Sequence, residues 1–245
     1  MNVTTRTREL ERTNRDFYES LWGESQLIAP ERFNTWPLVA SLVRADSRRL
    51  EVAPGLRPRL PLAGTQFVDM SERAVAQLCK AGACAETGTI DQLPFANGEF
   101  DLVCAMDIVE HVEDDVGALS ELTRVLAPGG TLLISVPLHQ SHWTAFDDFV
   151  GHCRRYEPAA LTSLLAQFGM KVECSAVYGM QPRSSHLLDL GMWYLVHQRE
   201  RAMWWYNHVF MPLAVRFQKP LRWVDGLIAD EDVDEVVVVC RAFVS

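Results

Sequence analysis

The sequence predicts an α/β fold in which a doubly wound, mostly parallel sheet of seven strands carries helices on both faces. The main observation is that short apolar runs of strand length alternate with amphipathic helical patterns between residues 48 and 180. In addition, the 245 residues, 48% hydrophobic and 22% charged, are typical of one large globular domain. We therefore expect a main domain at 48–245, preceded by a helical cap at 1–47 and interrupted by a helical, aromatic-rich insert at 181–232.

The predicted strands are short apolar runs bounded by turn residues. Five of them alternate with helical patterns, and two more follow, the last of them after the insert. They lie at 49–52, 66–69, 83–86, 101–105, 131–136, 171–178 and 235–243. Ligands of such sheets bind outside the carboxyl ends of the strands, so the residues that follow each strand are the candidates for function.

Three helices are predicted between the strands. The first is capped by Ser71, the second begins at Asp114 or Asp115, and the third has Pro158 in its first turn. The second should end before the Pro128-Gly129-Gly130 turn. Its apolar residues are expected on one stripe, formed by Val116, Leu119, Leu122 and Leu126.

Two features indicate where a ligand binds. Residues Glu51 to Gly55 close the first strand with a turn of small residues, and Asp69 closes the second strand. A glycine turn lets the backbone approach a ligand, and an acidic side chain there can accept hydrogen bonds from both ribose hydroxyls. These features are typical of a nucleoside-containing cofactor, and the alternative is a turn followed by a helix-capping Asp.

Residues 93–137 carry a more specific pattern. Its parts are Leu93-Pro94-Phe95, Phe100-Asp101, Glu110-His111 and Leu126-Ala127-Pro128-Gly129-Gly130. In this combination and order, they resemble the class I S-adenosylmethionine-dependent methyltransferases, in the type 11-like branch that acts on small molecules. The resemblance covers residues 48–180 and implies a Rossmann-like methyltransferase fold. In that fold the last strand runs antiparallel between the fifth and the sixth.

The resemblance also implies S-adenosylmethionine as the cofactor and assigns residues around it. Acceptors are expected for the sulfonium and the ammonium, and an apolar slot for the adenine. The assigned residues are Glu51 near the methionyl amino group, Ala53 and Gly55 at small positions, Asp69 on the ribose, Met70 on the adenine face, Thr89 and Ile90 beside the adenine edge, and Met106 with its carbonyl on the ammonium.

The first motif departs from the family pattern. Positions that usually form G-x-G-x-G are here Ala53, Gly55 and Arg57, and three prolines within 53–61 allow only a short turn of helix. Arg57 or Arg59 could replace part of the usual backbone contact with the cofactor carboxylate. The alternative is that both are solvent-exposed arginines.

The segment after the fifth strand, 137–158, carries the candidate general bases. An oxygen or nitrogen acceptor needs a base with a pKa near neutrality, for which His139 and His142 are the candidates. His111 is expected instead to form hydrogen bonds where a helix begins. Residues 151–156 resemble a signature found in a subset of these enzymes, and either catalysis or pinning of the loop explains them.

The insert contains a dense group of aromatic residues interleaved with arginines. Three interpretations stay open: a helical cover that contacts the sheet or a second copy of the chain, a lid over an apolar acceptor pocket, and peripheral docking on a membrane. The aromatic residues are Trp193, Tyr194, Trp204, Trp205, Tyr206, Phe210, Phe217 and Trp223.

Composition argues against several other functions. The net charge of −9 disfavours nucleic-acid binding, and neither a signal peptide nor an 18-residue apolar run is present, which predicts a cytoplasmic protein. The six cysteines form no C-x-x-C pair, so we expect buried, reduced thiols and no metal.

The sequence thus predicts transfer of a methyl group from S-adenosylmethionine to a small or lipid-like acceptor. A non-catalytic module that keeps the fold for binding or assembly is the alternative. A nicotinamide-dependent oxidoreductase is disfavoured, because the segment after the first strand lacks the third glycine and the long helix on which a pyrophosphate sits.

Overall fold

A computed structural model describes residues 25–179, 193–194 and 197–243. Most of the predicted N-terminal cap and the first part of the insert lie outside these residues. No helix in the described part has the length and apolar character needed to cross a bilayer.

Eight strands form one sheet, one strand more than predicted. They are β1 Arg49–Val52, β2 Thr65–Asp69, β3 Cys84–Thr87, β4 Phe100–Met106, β5 Leu126–Pro137, β6 Met170–Val177, β7 Trp223–Asp225 and β8 Glu235–Ala242. The additional strand is β7, which lies inside the insert that was expected to be helical. It pairs with the outer edge of β6, with Cys174 opposite Asp225.

The strand order is β3-β2-β1-β4-β5-β8-β6-β7. The pairs from β3 to β5 are parallel, whereas β8 is antiparallel to both β5 and β6. This topology confirms the expected fold class and the antiparallel last strand. Because β8 runs in the opposite direction, its first residues lie at the carboxyl edge of the parallel strands.

Seven α-helices lie in the described part of the chain. They are α1 Trp36–Leu42, α2 Glu72–Lys80, α3 Asp115–Val125, α4 Ala145–Val150, α5 Pro158–Gln167, α6 Arg199–Trp205 and α7 Met211–Arg216. Side-chain caps begin three of them, α2, α3 and α4. Ser71 caps α2 by accepting from the Ala74 N–H, and Asp114 caps α3 by accepting from the Gly117 N–H. Short 3-10 turns at Pro30–Arg32, Val109–His111 and Gln140–His142, and a π-turn at Tyr206–Phe210, complete the described helical segments.

The predicted apolar stripe of α3 needs one correction. Val116 is 50% exposed, whereas Ala118 and Val125 are fully buried beside Leu119 and Leu122. The helix ends one residue earlier than the stripe requires, because Leu126 already belongs to β5. The buried residues of α3 are therefore Ala118, Leu119, Leu122 and Val125.

The core lies on both faces of the sheet. Alternate residues of β4 point in opposite directions, with Val103 packing on the side of α3 and α5 and Cys104 on the side of α1. Helices therefore cover both faces, as the alternating sequence pattern predicts.

The expectation of buried thiols holds for only some of the cysteines. Cys104 and Cys240 are buried in the sheet, Cys153 and Cys174 are partly buried, and none of the six forms a disulfide. Cys79 on α2 and Cys84 on β3 are exposed, because β3 is an edge strand and α2 packs with its other face.

Candidate functional site

Three residues with left-handed backbone conformation mark the carboxyl edge of the sheet. Ala53 (φ +54°), Asp107 (φ +52°) and His139 (φ +58°) follow β1, β4 and β5, respectively. Such a conformation costs non-glycine residues roughly 1–3 kcal/mol and is concentrated at functional sites. The three strands carrying them are neighbours in the sheet, so the strained positions lie along one edge.

Asp69 connects the first two strand-to-helix turns. It is 5% exposed, its Oδ2 accepts from the Gly55 N–H at 2.8 Å, and its Oδ1 accepts from the Ser71 N–H at 2.8 Å. Each carboxylate oxygen can accept a second hydrogen bond. This geometry holds the turn after β1 close to the beginning of α2.

Glu51 has a different environment from the one its sequence position implies. Its carboxylate is 1% exposed and accepts from the backbone N–H groups of Arg59 at 2.7 Å (Oε1) and Leu60 at 2.8 Å (Oε2). Burial raises its pKa to about 7, although these backbone hydrogen bonds oppose the rise. Glu51 therefore holds the proline-rich segment in place, and its contact with the methionyl amino group stays a prediction.

Arg59 is not the solvent-exposed arginine of one sequence interpretation. It is 6% exposed, donates to the Tyr178 hydroxyl at 2.7 Å, and lies over the Phe33 ring with its guanidinium carbon 3.7 Å from the centroid. Its Nε is buried and makes no hydrogen bond to any part of the chain that the structure describes. Arg57 instead donates to the Tyr206 hydroxyl at 3.1 Å.

The remaining residues assigned to the cofactor lie at the ends of adjacent strands. Met70 follows β2 and is partly exposed, while Thr89 and Ile90 follow β3, with Thr89 exposed and Ile90 buried. Met106 ends β4 and is 8% exposed. The order β3-β2-β1-β4 brings these residues to one edge, as predicted.

The two candidate bases differ in the freedom of their ring nitrogens. In His139, Nδ1 lies 3.3 Å from a Glu157 carboxylate oxygen and Nε2 lies 3.0 Å from the Asp230 carbonyl, so both nitrogens are engaged. In His142, Nδ1 lies 3.1 Å from Asp234 Oδ1, and Nε2 makes no hydrogen bond among the described residues. Its side chain is 32% exposed. The geometry favours His142, and the role of both histidines stays a prediction.

The signature at 151–156 is held by a buried ion pair. Arg155 donates to both carboxylate oxygens of Asp147, at 2.9 and 3.1 Å, and the Tyr156 hydroxyl donates to Asp115 at 2.8 Å. Hydrogen bonds from His152, Arg155 and Thr144 outweigh the effect of burial and hold the pKa of Asp147 well below its usual value. These contacts support pinning of the loop.

Sequence reasoning missed an acidic group beside β4. Asp107 accepts from the Ser135 hydroxyl, and Glu235 shares a hydrogen bond with Asp107. Burial and the Asp107 carboxylate raise the pKa values of Glu110 and Glu235 well above their usual range. The position of Asp107 directly after a strand was a usable signal, whereas Glu235 reaches this edge only because β8 is antiparallel.

The described part of the insert lies over this edge. Met203 of α6 is buried in a cluster with Leu56, Ala74 and Val150, which belong to the turn after β1, to α2 and to α4. The opposite side of the segment is exposed. Its large exposed residues are Trp204, Trp205, Phe210, Leu213 and Phe217.

Comparisons with known proteins match the central segment. A family model for a methyltransferase domain matches residues 60–134, just under a third of the chain. A probable S-adenosylmethionine-dependent methyltransferase of Mycolicibacterium smegmatis is 34% identical over 90 residues, which are 35% of this chain and 34% of that protein. Tocopherol O-methyltransferase of Arabidopsis thaliana is 33% identical over 82 residues, which are 34% of this chain and 24% of that protein. The matches thus span about a third or less of these curated relatives.

Solved structures match over a much larger part of the chain. A SAM-dependent methyltransferase from Thermotoga maritima, described as a possible histamine N-methyltransferase, has a TM-score of 0.56 at 17% identity. The match covers 98% of this chain and 95% of that chain. At this identity the likeness shows the fold alone.

Proposed function

We propose that this chain, which has the fold and the central sequence segment of the class I S-adenosylmethionine-dependent methyltransferases, transfers a methyl group from S-adenosylmethionine to a small or lipid-like acceptor. The observation that carries the proposal is the arrangement of Asp69, Gly55 and Arg59 at the carboxyl edge of the sheet. The cofactor follows from the family and the fold.

The residues at this edge fit the cofactor. Asp69 supplies a buried carboxylate, a group that can accept hydrogen bonds from ribose hydroxyls, and Ile90 and Met106 supply apolar surface. The buried Nε of Arg59, which has no hydrogen-bond partner among the described residues, is a suitable donor for the methionyl carboxylate. Glu51 contributes indirectly, because it holds the backbone of Arg59 and Leu60.

Methyl transfer requires little chemistry from the protein. The bound cofactor supplies an activated sulfonium methyl group, so placing the acceptor in line with it supplies most of the acceleration. His142 can accept a proton at Nε2, since Asp234 lies beside Nδ1 and favours the N–H at that position. His139, with both nitrogens engaged, orients the loop instead.

The class of acceptor is supported by the cover over the site. The segment from α6 to α7 packs over the turn after β1 through Met203, so it can place apolar side chains over an acceptor bound at this edge. The relative from Arabidopsis thaliana is named for tocopherol. Both facts favour an acceptor with a substantial apolar part.

Calorimetric titration of the full chain with S-adenosylmethionine and with its demethylated product tests the proposal without knowledge of the acceptor. We expect saturable binding, weakened about 10- to 100-fold by Asp69→Asn, because a charge-assisted acceptor is lost. Asp46→Asn, in an exposed loop at the opposite edge, should bind as wild type does. If the wild-type chain binds neither compound at millimolar concentration, the proposal fails and a non-catalytic binding module is the better explanation.

A further inference from the structure

We propose that Glu110, His111 and His152 form a binding site for a divalent metal ion. One ligand atom from each residue lies within 4.8 Å of the other two. Glu110 and His111 are adjacent in the 3-10 turn after β4, and His152 follows α4. His152 is distant in the chain from Glu110 and His111 and meets them only in the folded protein.

Glu110 has an unsatisfied oxygen in this cluster. The residue is 2% exposed, and Oε2 is buried with no hydrogen-bond partner in the described chain. Leaving a buried carboxylate oxygen without a donor is costly, and a cation would remove that cost. The other oxygen, Oε1, lies 4.0 Å from His152 Nε2, too far for a direct hydrogen bond.

His152 is oriented as metal-binding histidines usually are. Its Nδ1 lies 2.8 Å from Asp147 Oδ1, so the N–H is placed on that side of the ring and the Nε2 lone pair points towards Glu110. A carboxylate that holds the second nitrogen of a ligand histidine is the usual outer partner in such sites. Asp147 is itself fixed by Arg155 and Thr144.

The donor set defines the class of metal. Two imidazoles and one carboxylate suit Zn²⁺ and related first-row ions, and three protein ligands leave one coordination position open. Bonds of about 2.0–2.2 Å require the ligand atoms to move slightly closer together than they are here. Small side-chain rotations can supply this movement without a change of fold.

The site lies at the edge where the acceptor is proposed to bind. Asp107, which directly follows β4, is close enough to raise the pKa of Glu110. If the proposed methyl transfer is correct, an acceptor oxygen can occupy the open position and lose its proton more readily. Metal binding itself does not depend on that function.

The full chain, stripped with a chelator and dialysed, is titrated with Zn²⁺ by calorimetry, and Co²⁺ is added separately for its visible spectrum. We expect one ion per chain and affinity reduced at least about 100-fold by Glu110→Gln and by His152→Asn. The control His208→Asn removes an exposed histidine, and Cys79→Ser and Cys84→Ser remove the exposed thiols. All three controls should bind as wild type does.

The proposed site is overturned if the wild-type chain binds no Zn²⁺. It is also overturned if Glu110→Gln and His152→Asn both bind Zn²⁺ as tightly as wild type does. Should the ligand variants fail to fold, the wild-type Co²⁺ spectrum decides, because intense tetrahedral bands support the site and a hexaaquo-like spectrum contradicts it. Titration of the same metal-free protein with S-adenosylmethionine separates failure of the metal site from failure of the proposed function.

Discussion

Three carboxylates at the carboxyl edge, Glu51, Asp69 and Asp107, have different surroundings and therefore different roles. Glu51 accepts from the backbone N–H groups of Arg59 and Leu60, Asp69 accepts a backbone N–H at each oxygen, and Asp107 is exposed in a left-handed conformation. Their positions after strands are visible in the sequence. Their partners are not, because each partner is set by the path of the following segment.

Glu51→Gln should change how stability depends on pH. Folding raises the pKa of Glu51 from 4.5 to about 7, so its contribution to stability is fully present below pH 4.5 and is lost as the pH rises through 7. In wild type the free energy of unfolding should fall by at most about 3 kcal/mol over this pH range, and in Glu51→Gln this fall should be absent. Urea unfolding between pH 4.5 and 8 measures it. The exposed Glu31→Gln should follow the wild-type profile, and an identical profile for Glu51→Gln would contradict the buried state.

His142→Asn tests the proposed base. Loss of a general base lowers kcat about 10²- to 10⁴-fold while binding of S-adenosylmethionine is retained. Methyl transfer to a panel of phenols and amines, followed with labelled cofactor, measures the rate. His208→Asn is the control, and a His142→Asn enzyme with wild-type kcat would assign the proton to another acceptor, such as solvent.

Hydrogen bonds between residues close together in the sequence determine where α2, α3 and α4 begin. Asp114 and Ser71 each accept an N–H from the first turn of their helix, and Thr144 forms a capping box with Asp147 at α4. These contacts span two or three residues and can be predicted from local sequence. The loop after α4 is different, since Arg155 connects it to Leu138 and Asp234.

Asp114→Ala should destabilise the protein by about 1 kcal/mol, because the Gly117 N–H loses its acceptor at 2.8 Å. The cap lies outside the proposed cofactor and metal residues, so cofactor affinity should not change. Chemical denaturation measures the difference. Asp46→Ala, in an exposed pair with Arg44, should cost less than about 0.5 kcal/mol, and an equal loss in both variants would refute the capping role.

At the scale of the whole molecule, the segment from α6 to α7 has two unlike faces. Met203 and Met211 are buried against the turn after β1 and against Phe33, while Trp204 and Phe217 on the other side are 46% and 73% exposed. The buried face supports the interpretation as a cover. Contact of the exposed face with a second copy of the chain or with a membrane stays a prediction.

Met203→Ala should loosen the cover. Removing a buried methionine side chain costs about 2–4 kcal/mol, whereas Trp204→Ala, at a half-exposed position, should cost less than about 1 kcal/mol. Thermal unfolding and limited proteolysis compare the two variants. If Met203→Ala and Trp204→Ala unfold at the same temperature and are cleaved equally, Met203 does not hold the segment from α6 to α7 in place.

Local patterns predicted most elements but not all of their partners. The strands and caps follow from periodicity and side-chain chemistry within a few residues, and their carboxyl ends identified Asp69 and Met106. The strand β7 was missed because a segment of three residues gains its structure only from pairing with β6. His139 Nε2 contacts the Asp230 carbonyl, whereas His142 contacts Asp234 through Nδ1 and keeps Nε2 available within the described chain. This difference could not be predicted, because Asp230 and Asp234 precede the last strand and are distant in the sequence.

The alternation of strands and helices, the helix caps and the acidic residues at the strand ends can be predicted from the amino-acid sequence, because they depend on neighbours a few residues apart. The fold was needed to show that the Glu51 carboxylate accepts from the backbone, that Arg59 is buried with an unsatisfied Nε, and that Glu110 and His152 lie close together. The physical reason is that burial and long-range pairing set the environment of a charged group, and both arise when the sheet brings distant segments together.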